Sequence, residues 1–190
     1  KIGDYYRTDL HWKQENLTQV ADKILKSMDN DKKRNDAYRK KVFENFYGSY
    51  YGQSASNIKP DKLTYLNDKT IENCKVYDYE KQKYVKVYDD KDFKNVDSYD
   101  VFLGGAKSLL TIENPSNTTG KEFYIFRDSF GSSLSPLLIK NYSKIHLIDL
   151  RYINSTQFEK YIKIKENSDV LFMYNTSILN NSSIIAKFFR

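Results

Sequence analysis

The sequence predicts an α/β fold built on a parallel sheet, and three observations carry that expectation. Four short apolar runs, Tyr99–Leu103, Phe123–Phe126, Ile145–Ile148 and Val170–Tyr174, recur at similar spacing through the second half of the chain. Segments with helical patterning, Leu134–Tyr142 and Gln157–Ile164, sit between the later runs. Short buried strands alternating with helices indicate βαβ units, whose crossovers are right-handed. The length of 190 residues suits one domain spanning the whole chain and allows a sizeable core.

The N-terminal half reads differently. Leu17, Val20, Ala21, Ile24, Leu25 and Met28 recur at helical spacing. Asn16 is placed to cap that helix, with Gln19 three residues later as in a capping box. A second, more polar helix is expected over residues 31–46, with Tyr38, Val42, Phe43 and Phe46 as its stripe. The stretch Phe46 to Gly52 is aromatic and punctuated by glycine, which reads as a loop or short strand. Residues 62–95 read as an antiparallel insertion outside the parallel core. There Val76, Tyr77 and Tyr79, then Tyr84, Val85, Val87 and Tyr88, flank the polar turn Glu80–Lys83 as in a hairpin.

Composition excludes several classes. With 17 Tyr, 11 Phe and 1 Trp the chain is too aromatic for disorder. No apolar run approaches the roughly 18 residues of a membrane span. The lone Cys74 rules out an internal disulfide framework and a cysteine-based zinc site, and two histidines argue against a multi-histidine metal site. No metal and no cofactor are expected. The net charge of +6 favours acidic partners such as anionic cell-wall polymers or nucleic acid. The lysines are interspersed with Asp, Asn and Tyr, however, and no arginine-rich run or nucleic-acid-binding motif accompanies them. The charge therefore reads as a solvated surface, and no nucleic-acid partner is expected. No signal peptide is visible, and a chain that begins on Lys1 reads as a trimmed piece of something longer.

Ligands of open α/β sheets bind outside the carboxyl ends of the strands. The residues there are Gly104-Gly105, then Arg127-Asp128-Ser129-Phe130-Gly131, then Asp149-Leu150-Arg151-Tyr152, then Asn175. Ser129 stands between a strand and a helix, where a hydroxyl is exposed at the positive helix end near backbone N–H groups. The alternative is that Ser129, Ser132 or Ser133 only caps the helix. A nucleophilic serine needs a base, and the chain offers His11 and His146. His146 lies inside the third apolar run and reads as a buried or sheet-face residue. Asp9 and His11 are two apart, so in an extended segment both side chains point the same way. The carboxylate then holds one imidazole nitrogen while the other faces Ser129. Alternatively, Asp9 caps a turn and His11 is ordinary surface.

Taken together, Thr8-Asp9-Leu10-His11-Trp12 and Asp128-Ser129-Phe130-Gly131 resemble the DHHW family of Gram-positive bacteria and the related SGNH-like polysaccharide O-acetyltransferases, such as the alginate O-acetyltransferases. Further matching stretches are Phe102-Leu103-Gly104-Gly105, Ser108–Pro115 and Ile148-Asp149-Leu150-Arg151-Tyr152. The resemblance implies a three-layer α/β/α fold like that of SGNH hydrolases. It implies Ser129 as nucleophile, His11 as base and Asp9 as its orienter. Gly105, Phe130, Arg151 and Trp12 are the candidates for substrate or oxyanion contact. The implied activity is acetyl transfer to a cell-wall or exopolysaccharide outside the cytoplasm, at the cell surface or wall. The partners would be a carbohydrate polymer as acceptor and a membrane-bound acyltransferase that supplies the acetyl group. A carbohydrate acetylesterase with the same triad, or a non-catalytic polysaccharide-binding or assembly module of the same fold, remain open. One departure is Ala106-Lys107, where many relatives carry an Asn or Asp and another polar or aromatic residue. Oxyanion donors would then come from backbone N–H groups near Ser129 and from Gly105. Arg151 either binds an anionic sugar or the oxyanion, or forms an ion pair with Asp149 or Asp128. Tyr5, Tyr6 and Trp12 either stack on sugar faces or pack in the core.

Overall fold

The structure is a computed structural model that describes residues 2–30, 37–54, 58–94, 96–181 and 183–186. In chain order its helices are α1 (Thr18–Ser27), α2 (Ser49–Ser54), α3 (Lys69–Asn73), α4 (Phe130–Leu138), α5 (Ser155–Phe158), α6 (Thr176–Asn180) and α7 (Ser183–Ala186). The strands are β1 (Arg39–Phe46), β2 (Asp61–Asn67), β3 (Lys75–Asp78), β4 (Lys83–Val85), β5 (Leu109–Glu113), β6 (Glu122–Arg127), β7 (Lys144–Ile148) and β8 (Asp169–Met173). Strands β1 and β2 form a two-stranded antiparallel sheet of their own. The other six form one sheet in the order β4-β3-β5-β7-β6-β8.

That sheet is mixed, not parallel. Strand β6 runs parallel to β7 and β8, as the βαβ pattern predicts, but β5 is antiparallel to both β7 and β3. The predicted hairpin is present as β3 and β4. It is not set apart from the main sheet, because β3 pairs directly with β5 and so extends the sheet edge.

Two other expectations are corrected. The run Tyr99–Leu103 is no strand. It is a 3₁₀ turn at Ser98–Val101, opened by the Asp97 carboxylate accepting from the Tyr99 N–H. Leu103, Gly104 and Gly105 follow with φ of 60°, 71° and 82°, and three successive left-handed residues cannot continue a strand. The run is apolar because it is buried, and burial alone does not specify a strand. The helix expected over 31–46 is strand β1 where it is described; residues 31–36 lie outside the described residues. The helical spacing of Phe43 and Phe46 has a specific cause. A register shift between them, with Asn45 at φ 60°, turns both rings toward the core, although an unbroken strand would alternate them.

Helix boundaries also differ. The residue before α1 is Leu17, with no side-chain cap, and Asn16 belongs to the preceding 3₁₀ turn Gln14–Asn16, so the expected capping box is absent. A capping box does form between Asn154 and Gln157 at the start of α5, which is a single turn and does not run to Ile164. Helix α4 begins at Phe130 instead of Leu134, since its first turn is buried through the small residues Gly131, Ser132 and Ser133. The stretch Phe46 to Gly52, expected as a loop or short strand, is divided: Phe46 ends β1, Tyr47 and Gly48 connect, and Ser49–Gly52 already belong to α2.

Alternate residues along the main strands feed two hydrophobic clusters on opposite faces of the sheet. Leu110, Ile112, Phe123, Ile125, Ile145 and Leu147 pack with Ala21 and Leu25 of α1 and Leu134, Leu137 and Leu138 of α4. Leu109, Tyr124, Phe126 and Ile148 pack with Phe158 and Ile162. Among the described residues no helix is long and apolar enough to cross a membrane. Phe46, wholly buried against Tyr6, joins the small sheet to the first cluster. Phe46→Ala is expected to cost about 3–5 kcal/mol in urea unfolding. A loss below about 1 kcal/mol would show that the two sheets fold independently of this contact.

Candidate active site

The site lies at the carboxyl end of β6. The strand is buried along its whole length and ends at Arg127, and the chain turns through Asp128 and Ser129 into α4. Buried Asp128 fixes this turn. Its Oδ1 accepts from the Phe130 N–H at 3.0 Å and its Oδ2 from the Asn175 N–H at 2.7 Å, which ties the turn to the end of β8. Ser129 occupies the position before the first helical residue, yet its hydroxyl makes no capping bond. It points to His11, with Oγ 2.7 Å from Nε2.

His11 is delivered by the loop Tyr5–Trp12, closed by a bridge between those two residues and by the Tyr6 N–H donating to the His11 carbonyl at 3.1 Å. Asp9 is buried and its Oδ1 lies 2.5 Å from His11 Nδ1. The same oxygen accepts from the His11 backbone N–H at 2.9 Å. The segment is therefore bent back on itself, so the two side chains meet through a turn and not through the extended backbone considered from their spacing. The bend lets one carboxylate hold both the ring and the backbone of the residue two places on. Oδ2 of Asp9 accepts from the Ser49 N–H at 2.9 Å and the Ser49 hydroxyl at 3.1 Å. Burial pushes the Asp9 carboxyl up, but the His11 bond and charge and these N–H donors outweigh it, so it lies below its ordinary value.

The loop is clamped by further buried contacts that the sequence did not announce. Asp61 Oδ2, at the start of β2, accepts from the N–H groups of Arg7 and Thr8 at 2.8 Å each and from the Thr8 hydroxyl at 2.9 Å. The Tyr50 N–H donates to the Thr8 carbonyl at 2.9 Å. The His11 ring is stacked on Tyr99, centroids 3.8 Å apart and planes within 5°, and is also packed on Phe130 at 4.9 Å. Tyr99 is held in turn by its hydroxyl donating to Ser133 Oγ at 2.7 Å. Trp12 Nε1 donates to the same Oγ at 2.9 Å and to the Phe130 carbonyl at 3.2 Å. Only the glycine-punctuated stretch around Gly48 hinted at any of this. Tyr99, Asp61 and Ser49 carry no local signal because their partners are distant in sequence.

The other candidates divide. Trp12 and Phe130 flank the Ser129–His11 pair, and Tyr5 stands beside Trp12. Tyr6 is buried in the core against Phe46 and Tyr99. The Phe130 N–H is taken by Asp128, and the Gly105 N–H closes a turn on the Phe102 carbonyl at 3.2 Å. Neither amide is thus free to meet an oxyanion, and Ser129 keeps the backbone N–H nearest the nucleophile, outside the helical ladder. Lys107 does not replace a donor there, since its ammonium lies 3.4 Å from Glu80 and 3.9 Å from Asp78. The Arg151 guanidinium embraces Asp149 at 2.9 and 2.6 Å, one of the two ion pairs its sequence position allowed. His146 joins none of this: its Nδ1 is 2.9 Å from Thr111 Oγ1 and its Nε2 3.2 Å from Glu122, within the sheet. Burial lowers its pKa despite the Glu122 carboxylate. Among the described residues no group of three or more His, Cys, Asp or Glu is assembled to hold a metal.

The model of DHHW proteins matches residues 3–148. This chain belongs to the DHHW family. A DHHW family protein from Eubacterium siraeum superposes with a TM-score of 0.74 at 25% identity, over 97% of this chain and 64% of that one. Bacillus cereus PatB1 with a sulfonyl adduct superposes with a TM-score of 0.69 at 18% identity, over 94% of this chain and 62% of that one. A second PatB1 structure gives 0.67 at 19% identity, over 94% and 64%. This DHHW chain therefore spans a little under two thirds of the length of these solved relatives. A search of curated proteins returns no significant match.

Two outcomes follow from the site's packing. A Cβ on Gly48 would lie 2.1 Å from Asp9 Cβ and 2.7 Å from its Cα, so backbone must move to admit it. Gly48→Ala is expected to cost about 1–3 kcal/mol in thermal unfolding and to shift the His11 ring resonances in NMR spectra. Unchanged stability and spectra would mean the loop yields freely. The second concerns Asp100, which lies against Gly105. Burial, with Asp97 and Asp92 nearby, pushes its carboxyl up to about 6, against the pull of Lys107 and His11. A carboxyl raised in the folded state adds stability at low pH that is lost as pH rises through about 6. Asp100→Asn should therefore lose less thermal stability than wild type between about pH 4 and pH 7. Parallel pH profiles for the two proteins would refute that assignment.

Proposed function

We propose that the chain is the catalytic part of an O-acetyltransferase acting on hydroxyls of a cell-wall or secreted polysaccharide. The observation that carries this reading is the unbroken chain of contacts from Asp9 through His11 to Ser129 at the start of α4. In this reading Ser129 Oγ attacks the acetyl carbonyl carbon of the donor while its proton passes to His11 Nε2. The C–O bond to the donor breaks, and the leaving oxygen takes that proton. A sugar hydroxyl then attacks the acetyl-serine, gives its proton to His11, and the proton returns to Ser129 Oγ as the ester bond breaks. Asp9 orients the imidazole and stabilises its charged form. The negative oxygen of each tetrahedral intermediate would be met by the Ser129 N–H and the positive end of α4.

The reading includes an SGNH-hydrolase-like three-layer architecture, one domain over the chain and a location outside the cytoplasm at the cell surface. It also includes an acetyl group delivered through a membrane-bound acyltransferase. Transfer requires that a sugar hydroxyl outcompete water, which positioning achieves, since oriented groups reach effective molarities of about 10⁵ M or more.

Wild-type protein is expected to turn over p-nitrophenyl acetate. Ser129→Ala and His11→Ala should each lower turnover by about 10³-fold or more, and Asp9→Ala by less than Ser129→Ala. Full turnover by Ser129→Ala would remove it as nucleophile. Mass spectrometry of glycans incubated with donor and enzyme should show gain of acetyl groups. If acetylated glycans instead only lose acetyl in a Ser129-dependent way, the protein is an esterase.

A further inference from the structure

We propose that the acceptor is an uncharged pyranose chain held in the aromatic groove beside Ser129. A cavity of about 550 Å³ lies there, walled by Tyr5, Trp12, Tyr50, Phe130 and Tyr174, with Ser177 at its polar side. Its size falls within the range of about 300–1,000 Å³ of small-ligand sites. It adjoins the candidate nucleophile, because Phe130 follows Ser129 in the chain and packs on His11.

The groove is built before any ligand arrives. The Trp12 ring is fixed by its two hydrogen bonds to Ser133 and the Phe130 carbonyl and by an edge contact on the Phe130 ring at 5.3 Å. Tyr5 is held beside it by the bridge that closes the loop, and the Tyr50 backbone is bonded to Thr8. The Tyr5 and Tyr50 side chains remain 45% and 46% exposed. A fixed indole and two half-exposed tyrosine rings on a bonded backbone suit the flat C–H faces of pyranoses.

The lining also specifies charge. Around this cavity stand aromatic, aliphatic, hydroxyl and amide side chains, and none that is charged among the described residues. A uronate or phosphate group entering it would give up water for neutral hydroxyl and amide partners with no cation among the described lining residues, which disfavours the charged group. The net charge of +6 taken alone favours an anionic polymer, but the groove's own lining favours neutral units. Arg151, the arginine that the sequence offered for an anionic sugar, is bound to Asp149. The inference rests on the acyl-Ser129 reading only for which sugar hydroxyl reacts; binding in the groove requires no turnover.

The chain's single tryptophan is Trp12, so its fluorescence reports the groove directly. The experiment titrates wild type and Ser129→Ala with cellotetraose, with the N-acetylglucosamine tetramer and with a galacturonate tetramer. Saturable fluorescence changes are expected with at least one neutral tetramer, and equally in Ser129→Ala. The galacturonate tetramer should bind at least tenfold more weakly. Tyr5→Ala and Tyr50→Ala, both at half-exposed positions, should each weaken neutral binding about tenfold, or about 1.4 kcal/mol. Galacturonate binding as tightly as the neutral tetramers would overturn the proposal. So would no saturable change with either neutral tetramer at millimolar concentration, or affinities untouched by both tyrosine variants. If Ser129 proves dispensable for acyl transfer while the neutral tetramer still binds through Tyr5 and Tyr50, the groove stands and the catalytic reading alone falls.

Discussion

The buried carboxylate of Asp9 is the constraint on which the site depends. An ion removed from water costs several kcal/mol unless its oxygens are fully engaged. Both oxygens here are engaged: one by the ring and backbone of His11, the other by the backbone and hydroxyl of Ser49. To supply those donors the N-terminal loop must fold back on itself and the start of α2 must come against it. The close approach at Gly48, the Thr8 clamp on Asp61 and the position of the small sheet all follow from that requirement. The imidazole orientation is thus enforced by the folding of a region distant in sequence.

A second buried carboxylate does the same for the other half of the site. Asp128 ties the turn that carries Ser129 to the loop after β8. Beneath that turn lies Arg127, wholly buried, with one bond to the Asp128 carbonyl and with Nε and Nη2 unpartnered among the described residues. Burial lowers its pKa, while Asp149 and Asp128 favour its charge. The two loops meet across 118 residues at the His11–Ser129 contact. Tyr99, anchored on Ser133 Oγ, stacks on the face of the imidazole, and Trp12, anchored on the same Oγ, packs on Phe130, which in turn contacts His11. Positioning in this site is the work of packed aromatic rings and saturated carboxylates, and His11 and Ser129 share one hydrogen bond.

Much of this site was legible in residue order. Ser129 between a strand and a helix, and Asp9 two residues before His11, named the three groups that the structure brings together. Histidine is rare in this chain, with two in all, and Ser129 stands at a strand-to-helix junction, which makes them readable. Their supporting residues were not legible. Ser49, Asp61 and Tyr99 are ordinary residues whose function is to meet partners across the fold. The amide of Gly105 was expected to face an oxyanion, yet it closes a turn, because the left-handed run from Leu103 to Gly105 redirects the chain.

By itself the sequence determined the α/β class, the parallel pairing around β6, the hairpin and the triad of candidate residues. The first three follow from local periodicity, and the three candidate residues from the resemblance of their motifs to the DHHW family. Tertiary structure decided that β5 enters the sheet antiparallel, that residues 39–46 form a bulged strand and that Tyr99–Leu103 is a turn. The physical reason is common to all three. An apolar run reports that a segment is buried, but only the hydrogen-bond partner it finds there decides whether it is strand, helix or turn.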